Sequence, residues 1–252
     1  MKTIMSEPNQ LPRGMVPEGE AHVWMIALSD ALVTDAHVLA CLSGAERERL
    51  ERQGATGAGQ RFALSRLALR HILARYTGET PAAVELVVTA RGKPDLAGDR
   101  RIHFSLSHAD RLALVAVARC DVGVDVERVR HPRRLLRMAR RVLHAETVAL
   151  LTLLPGEKRR LAFLDAWTQR ESHVKAVGGG IFATPDALPF HLAQPADGTP
   201  YPYLARHEPE EWSVARFYPA PGARASVVVR GRIAEIRFFE WRMDGARSGD
   251  AP

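Results

Sequence analysis

Two long helical segments, each followed by strand-like runs, constrain the fold of this chain more than any other feature. The first covers residues 61–76, where RFALSRLALRHILARY places apolar residues at helical spacing, and it ends before Gly78. The second covers residues 157–177 and ends at a run of three glycines. Because a helix followed by strands occurs in each half, the sequence favours an α+β fold class and hints at a duplicated unit, although a similarity this coarse also arises by chance.

Shorter runs complete the predicted elements. Strands are predicted at residues 22–28, 84–89, 102–106, 112–118, 122–126, 212–218, 224–230 and 236–242. Two further helices are predicted at residues 45–52, behind a cap at Ser43, and at residues 132–154. The predicted organisation is a flexible tail at 1–20, an N-terminal subdomain at 21–128, a C-terminal subdomain at 129–243 and a second flexible tail at 244–252.

Composition indicates a folded protein with a basic surface. Of the 252 residues, 46% are hydrophobic and 25% are charged, which is typical of a globular domain and excludes a disordered or fibrous chain. The 35 Lys and Arg outnumber the 29 Asp and Glu, giving a net charge of +6. An anionic partner such as nucleic acid, a phosphorylated cofactor or an acidic protein would suit this charge, and so would a merely solvated basic face.

The cysteines and the apolar runs indicate the compartment. Cys41 and Cys120 form no close-spaced pair, so neither a zinc site nor a disulfide framework is predicted. No signal-like apolar segment follows Lys2, and the run Leu112–Ala118 is too short to span a bilayer. We expect a cytoplasmic protein in a reducing compartment.

Two acidic residues share one face of a predicted strand. In GVDVE, residues 123–127, the two-residue period of a strand puts Asp125 and Glu127 on the same side. Two carboxylates that project together suit Mg²⁺, which takes one or two protein carboxylates together with phosphate oxygens and waters. Two exposed acids at the end of a strand are also common on protein surfaces, so the pattern alone leaves both interpretations open.

The second long helix carries WTQRESHVKAVGGG at residues 167–180. Trp167, Glu171 and Lys175 are four residues apart and share one helix face. Glu and Lys at this spacing usually form a solvated ion pair. The neighbouring Trp and the glycine run would instead let a ligand or another segment approach the helix end closely. The pattern is therefore open between an exposed ion pair and a functional site.

A third pattern consists of GKP at residues 92–94 and HFSLSH at residues 103–108. Lys93 carries the charge of a phosphate binder, while Ser107 and His108 either converge on an anion or are plain turn residues. The sequence contains no Walker loop, no dinucleotide glycine fingerprint and no paired-His metalloprotease motif. A triad of Ser107, His108 and Asp110 is excluded, because neighbouring residues on a strand point apart.

Taken in order, GKP, HFSLSH, GVDVE and WTQRESHVKAVGGG resemble the motif series of the 4'-phosphopantetheinyl transferases of the surfactin-synthetase-activating type. The likeness extends more loosely over residues 22–242 and includes the helix RFALSRLALR. It implies a monomeric enzyme with the 4'-phosphopantetheinyl transferase-like fold. In this fold, two pseudo-symmetric α+β subdomains, each a small antiparallel sheet packed with a long helix, bind coenzyme A in the cleft between them.

The resemblance also implies roles for individual residues. The expected Mg²⁺ ligands are Asp125, Glu127 and Glu171. The expected catalytic residues are Glu171, as general base acting directly or through water, and Lys175, as a contact to the pyrophosphate. The expected contacts to coenzyme A are Arg61, Lys93, Pro94, Ser107, His108, Asp125 and Lys175.

The function implied is transfer of the 4'-phosphopantetheine of coenzyme A to a serine of an apo acyl or peptidyl carrier protein, for polyketide, nonribosomal peptide or siderophore synthesis. Carrier proteins are usually acidic, so we expect the Arg-rich stretch 128–141 to contribute to docking. Two alternatives stay open: another Mg²⁺-dependent phosphotransferase or phosphodiesterase that uses the same acids, and a basic nucleic-acid binder. The latter would lack an aromatic stacking surface, and we expect neither a nucleic-acid nor a membrane partner.

The chain departs from the family pattern at a few positions. Relatives commonly carry a basic residue where this chain has Gly57, so one phosphate contact is expected to be missing or supplied by a neighbour such as Arg52. In the helix motif, Arg170 and Ser172 are variants. None of these changes removes a proposed ligand.

Overall fold

The computed structural model describes residues 1–5, 12–28, 36–54, 56–90, 92–98, 101–128, 135–178, 190–193, 203–206 and 212–243. The helices are α1 (Ala36–Cys41), α2 (Gly44–Gln53), α3 (Gly57–Thr77), α4 (Leu135–Val142), α5 (Ala145–Leu153) and α6 (Gly156–Ala176). The strands are β1 (Lys2–Met5), β2 (Glu20–Ala27), β3 (Leu86–Val88), β4 (Pro94–Leu96), β5 (His103–Ala109), β6 (Leu112–Ala118), β7 (Val122–Arg128), β8 (Phe190–Ala193), β9 (Tyr203–Arg206), β10 (Trp212–Phe217), β11 (Ala223–Arg230) and β12 (Glu235–Trp241).

The chain forms two compact units. The first consists of Met1–Val88, Pro94–Arg119 and Ala234–Pro252, and the second of Thr89–Lys93 and Cys120–Ile233. This division differs from the predicted boundary after residue 128. Strand β7 pairs with β11 of the second unit, so the segment that follows Arg119 belongs there. Each unit combines a sheet with a helix of 21 residues, and the predicted α+β class is confirmed.

The sheet of the first unit has the strand order β1-β12-β2-β6-β5. Strand β12 pairs in parallel with both β1 and β2, while β6 pairs antiparallel with β2 and β5. The sheet is therefore mixed, which corrects the wholly antiparallel sheet that was predicted. Strand β1 and the fully buried Val16 lie in the segment 1–20 that was predicted as a flexible tail. Residues 6–11 and the predicted tail 244–252 lie outside the described residues.

Helix α3 supplies much of the core of the first unit. It begins after the N-cap Thr56 and ends at Gly78, which adopts the left-handed conformation (φ 76°) that glycine tolerates best. Its apolar face buries Leu69, Ile72 and Leu73 in one cluster with residues of β2, β6 and β12. Burying such a face is what stabilises a helix of ordinary propensity.

The second unit packs helix α6 on an antiparallel sheet of order β10-β11-β7. A separate apolar cluster joins α6 to α4 and α5. The predicted helix 132–154 is two helices in the structure. The helical conformation is interrupted between Val142 and Ala145, because His144 has non-helical backbone angles (φ −55°, ψ 147°). Residues 132–134 of that prediction, and residues 129–134 of the stretch predicted to dock a carrier protein, lie outside the described residues.

Candidate active site

Strand β7 and helix α6 bring the acidic motif and the helix motif together in the second unit. Gly123 makes this possible, because a Cβ atom at that position would lie 1.8 Å from the carbonyl oxygen of Ser172 and 2.6 Å from the amide nitrogen of Ala176. The Ser172 hydroxyl donates a hydrogen bond to the Ser226 carbonyl at 2.8 Å and so ties α6 to β11 as well. The helix therefore lies directly on the strand that carries Asp125.

Asp125 and Lys175 form a direct ion pair. Lys175 Nζ donates a hydrogen bond to Asp125 Oδ1 at 2.7 Å and another to the Val124 carbonyl oxygen at 3.2 Å. The Asp125 side chain is 7% exposed and that of Lys175 is 30% exposed. A carboxylate buried to this degree needs a cation, and Lys175 supplies it in this structure.

Glu171 lies one helical turn before Lys175 and is half-buried. Arg170 Nη1 donates a hydrogen bond to Glu171 Oε1. Burial raises the pKa of Glu171; the Arg170 charge acts against this rise, the Asp125 charge adds to it, and the Lys175 charge acts against it. Asp125 is bound by Lys175, which lies one helical turn after Glu171, so both carboxylates lie on the Lys175 face of α6. A carboxyl with a raised pKa is better able to accept a proton near neutral pH.

All three predicted metal ligands belong to the second unit, whereas the prediction divided them between the two halves. Glu127 is partly exposed, shares the β7 face of Asp125 and is opposite Arg224 in the sheet register. Among the described residues, no group of three His, Cys, Asp or Glu side chains forms a ready-made metal site. Asp125 and Glu171 are nevertheless neighbouring hard oxygen donors, and Mg²⁺ needs only one or two protein carboxylates, so the donor set fits this ion.

Lys93 also belongs to the second unit. Its Nζ donates hydrogen bonds to the Val122 carbonyl oxygen at 3.2 Å and to the Ala176 carbonyl oxygen at 3.4 Å. A lysine at this end of a helix interacts favourably with the last carbonyl groups and with the helix dipole. Lys93 is thus close to the start of β7 and the end of α6.

The remaining predicted coenzyme contacts belong to the first unit: Arg61 on α3, Pro94 at the start of β4, and Ser107 and His108 on β5. Strand β5 continues to Ala109, so Ser107 and His108 are strand residues and not turn residues. The turn comes at Asp110, which has a positive φ of 55°. Ser107 is buried and His108 is exposed, as the alternation of side chains on a strand requires.

Two charged features near the site were not predicted. One is the hydrogen bond between the sequence neighbours Arg170 and Glu171. The other is Asp165, whose pKa is raised by burial and which has Arg216 and Arg224 at 3.7 Å and 3.8 Å. In the sequence, the signal for this cluster is an Asp on the apolar face of a predicted helix, where a buried carboxylate needs a cation. The sequence does not identify the two arginines, because they lie about 50 to 60 residues after Asp165.

Together these features define a class: an α+β protein whose strand–helix pair holds a buried aspartate, a half-buried glutamate and a lysine. Comparison with known proteins is consistent with this description. Residues 121–229 match the model of the 4'-phosphopantetheinyl transferase superfamily. The 4'-phosphopantetheinyl transferase HetI of Nostoc sp. is 33% identical over 227 residues, covering 88% of this chain and 92% of HetI.

Two further similarities were found. A putative 4'-phosphopantetheinyl transferase of Synechocystis sp., slr0495, is 31% identical over 66% of this chain and 68% of its own length. A crystal structure of a holo-(acyl-carrier-protein) synthase from Bacillus anthracis in complex with CoA is 17% identical, with a TM-score of 0.33, and covers 44% of this chain and 95% of that chain. This last likeness is too weak to bear on function.

The chain belongs to the 4'-phosphopantetheinyl transferase family and is an enzyme of the transferase class. The helices in the described part of the chain include none with the length and apolar character needed to cross a membrane.

Proposed function

We propose that this enzyme transfers the 4'-phosphopantetheine moiety of coenzyme A to a serine of an apo acyl or peptidyl carrier protein. The products are the holo carrier protein and adenosine 3',5'-bisphosphate. The observation that carries the proposal is the pairing of Lys175 with the buried Asp125 beside the half-buried Glu171. Family membership supports the same reaction.

The reaction needs a proton acceptor, and Glu171 has the properties of one. The serine oxygen attacks the β-phosphorus of the pyrophosphate, the bond to the bridging oxygen breaks, and the bisphosphate leaves. The serine proton passes to Glu171, directly or through a water molecule. Burial supports this role, because it raises the pKa of this carboxyl and so strengthens it as a base.

Lys175 acts on the negative charge that develops during transfer. Its ammonium group already lies at the Asp125 carboxylate and the Val124 carbonyl oxygen, in a partly buried position where electrostatic interactions are stronger than in water. Contact with the pyrophosphate would stabilise the leaving group, since positioning and charge stabilisation supply most of the rate in phosphoryl chemistry.

A divalent cation is part of the proposal. Asp125, Glu127 and Glu171 would hold Mg²⁺, with Asp125 and Glu171 supported by their proximity and their hard oxygen donors. When bound, the ion would neutralise charge on the phosphate oxygens. Glu127 is proposed as the third ligand because it shares the β7 face of Asp125.

The residues that contact coenzyme A and the type of transferase are further parts of the proposal. We propose that Arg61, Lys93, Pro94, Ser107 and His108 contact coenzyme A, as the motif order suggests. The same motif order supports the surfactin-synthetase-activating type, while the long match to HetI supports a HetI-like type at most equally. A cytoplasmic location and a monomeric state stay predictions.

Mass spectrometry tests the reaction. A purified apo carrier protein is incubated with the enzyme, coenzyme A and Mg²⁺, and a control omits the enzyme. The expected result is a mass increase of one phosphopantetheine arm on the carrier protein, together with release of adenosine 3',5'-bisphosphate. Release of phosphate from coenzyme A with no modified carrier protein would instead identify a hydrolase and refute the proposal.

A further inference from the structure

Arg170 is a charged side chain that is buried beside the site. Its side chain is 2% exposed, and arginine is almost never buried to this degree unless it is paired. It directly precedes Glu171 on α6, and its Nη1 donates a hydrogen bond to Glu171 Oε1. A buried cation is therefore in contact with the residue that we propose as the general base.

The pair is unusual for neighbours on a helix. Consecutive residues project about 100° apart around the helix axis and do not face each other, so ion pairs normally form between residues three or four positions apart. Arg170 and Glu171 nevertheless form this hydrogen bond. A guanidinium in the interior has no water to which it could turn instead. The contact therefore fixes the orientation of the carboxylate in addition to balancing its charge.

The hydrogen bond uses one carboxylate oxygen. Arg170 Nη1 engages Oε1 of Glu171. A carboxylate has a second oxygen, here Oε2, which can accept a hydrogen bond or bind a cation at the same time. The adjacent Asp125 is held in a comparable way, through Oδ1, by Lys175. Two cations of α6 thus orient the two carboxylates: Arg170 binds Glu171, and Lys175 binds Asp125.

We propose that Arg170 is a positioning residue, which holds Glu171 through Oε1 so that Oε2 is presented to a divalent cation and to the attacking serine hydroxyl. This inference rests on the proposed function, in which Glu171 is a metal ligand and general base. A buried, permanently charged guanidinium suits the task because its planar donors fix the direction of a carboxylate better than a flexible ammonium group does.

A double-mutant cycle tests the proposal through metal binding. Binding of Mn²⁺ is measured by electron paramagnetic resonance, from the signal of the free ion, for the wild type, Arg170→Gln, Glu171→Gln and the double variant. Removing the positive charge of Arg170 changes the affinity for a nearby cation whether residue 171 is Glu or Gln. This general electrostatic effect therefore cancels in the cycle. Loss of carboxylate positioning appears only where Glu171 is present. Arg160→Gln, which removes the arginine paired with Glu157 on the same helix, is the matched control.

We expect Arg170→Gln to weaken Mn²⁺ binding by about threefold or more in the Glu171 protein relative to its effect in the Glu171→Gln protein. Arg160→Gln should show no such difference between the backgrounds. Equal effects of Arg170→Gln in the two backgrounds would overturn the proposal.

Arg170→Lys keeps the positive charge and a hydrogen-bond donor group, and it provides a second test with less risk to folding. It should recover part of the affinity lost in Arg170→Gln when Glu171 is present, and less than the wild type has, because an ammonium group fixes the carboxylate less well. A failure to recover any affinity, in a protein that unfolds at the wild-type temperature, would also count against the role of Arg170.

The cycle and the transfer assay separate two kinds of failure. Coupling between Arg170 and Glu171 without transfer of phosphopantetheine by the wild type would refute the proposed function and leave the role of Arg170 intact. Normal transfer by the wild type without coupling would refute the role of Arg170 alone.

Discussion

Gly123 lies against the Ser172 carbonyl oxygen so closely that a Cβ atom would be 1.8 Å from it. Both partners in this contact belong to the backbone of rigid elements, β7 and α6, so neither can move aside at low cost. The absence of a side chain at position 123 thus brings Asp125 within reach of Lys175. The close approach is a condition for the geometry of the site.

Replacement of Gly123 by Ala should therefore damage both stability and activity. We expect the free energy of unfolding to fall by about 3 kcal/mol, because α6 must shift away from β7 to admit the methyl group. Thermal unfolding and transfer rates check this. Gly156→Ala, at an open position at the start of the same helix, should change neither quantity by much. A Gly123→Ala protein as stable as the wild type would contradict this account of the packing.

Glu171→Gln should reduce the transfer rate by about 100- to 10,000-fold, since the amide cannot accept the serine proton. The fold should persist, because the side chain is partly exposed and the substitution preserves its shape. Single-turnover transfer to a carrier protein measures the effect. Glu157→Gln, an exposed position at the start of α6, is the control and should behave as the wild type. Near-normal turnover of Glu171→Gln would remove Glu171 from the role of general base.

Lys175→Ala should lower the transfer rate by about 100-fold or more, because the charge that stabilises the leaving group is lost. The substitution also leaves the buried Asp125 without the ammonium group at its Oδ1 atom. Lys158→Ala removes the same charge from an exposed position of the same helix and should have little effect. If the two variants transfer at similar rates, the transfer rate depends on the net charge of the helix and not on the position of Lys175, and the proposed role of Lys175 is wrong.

Asp125→Asn should abolish the dependence of the reaction on Mg²⁺ together with the activity itself. The amide keeps the size of the side chain but removes the charge that a divalent cation requires. Titration of activity with Mg²⁺, and of the protein alone with Mn²⁺, gives two separate readouts. Asp121→Asn, in an exposed ion pair with Arg230, is the matched control. Unaltered Mn²⁺ binding by Asp125→Asn would exclude Asp125 as a ligand.

His22 should make the first unit sensitive to acid. Burial, with a further contribution from the Arg237 charge, lowers the pKa of His22 to about 4. An unfolded histidine has a pKa near 6.5, so between these values the unfolded chain binds a proton that the folded chain does not. The contribution of His22 to the free energy of unfolding is therefore fully present above about pH 6.5. It is lost as the pH falls towards 4, by roughly 3 kcal/mol.

Urea unfolding at pH 4.5 and 7.5 measures this effect. His22→Gln should lose its hydrogen bond to Tyr76 and be less stable at pH 7.5, but its stability should change less between the two pH values than that of the wild type. His173 of the second unit, whose pKa burial also lowers to about 4, adds its own pH dependence, so the difference between the two proteins is the test. Identical pH profiles would contradict the assignment.

The long-period patterns were predictable from the sequence. The second long helix was predicted at residues 157–177 and is Gly156–Ala176, and the strand Leu112–Ala118 has the predicted bounds. Both are long runs with one clear periodicity, so local sequence is sufficient. Strand β1 was missed, because its four residues are defined by pairing with β12, which lies more than 200 residues away.

The candidate site residues were predicted from motif order, and the contacts that they make were not predictable. The spacing of Glu171 and Lys175 suggests that they pair with each other, whereas each pairs with a different residue. The Asp125–Lys175 pair depends on how closely α6 approaches β7, which is a property of the packed unit and not of either segment. Local patterns identify which side chains share a face, and tertiary packing decides which of them meet.

Strand β12 lies between β1 and β2 in the first sheet, although it is made from the last described residues of the chain. During synthesis on the ribosome, the strands at both of its edges emerge long before it does. The sheet of the first unit therefore stays incomplete, without the strand between β1 and β2, until the whole inserted second unit has been translated. A ribosome that stalls after β11 would release a chain whose first sheet exposes two unpaired edges, which is a form prone to aggregation.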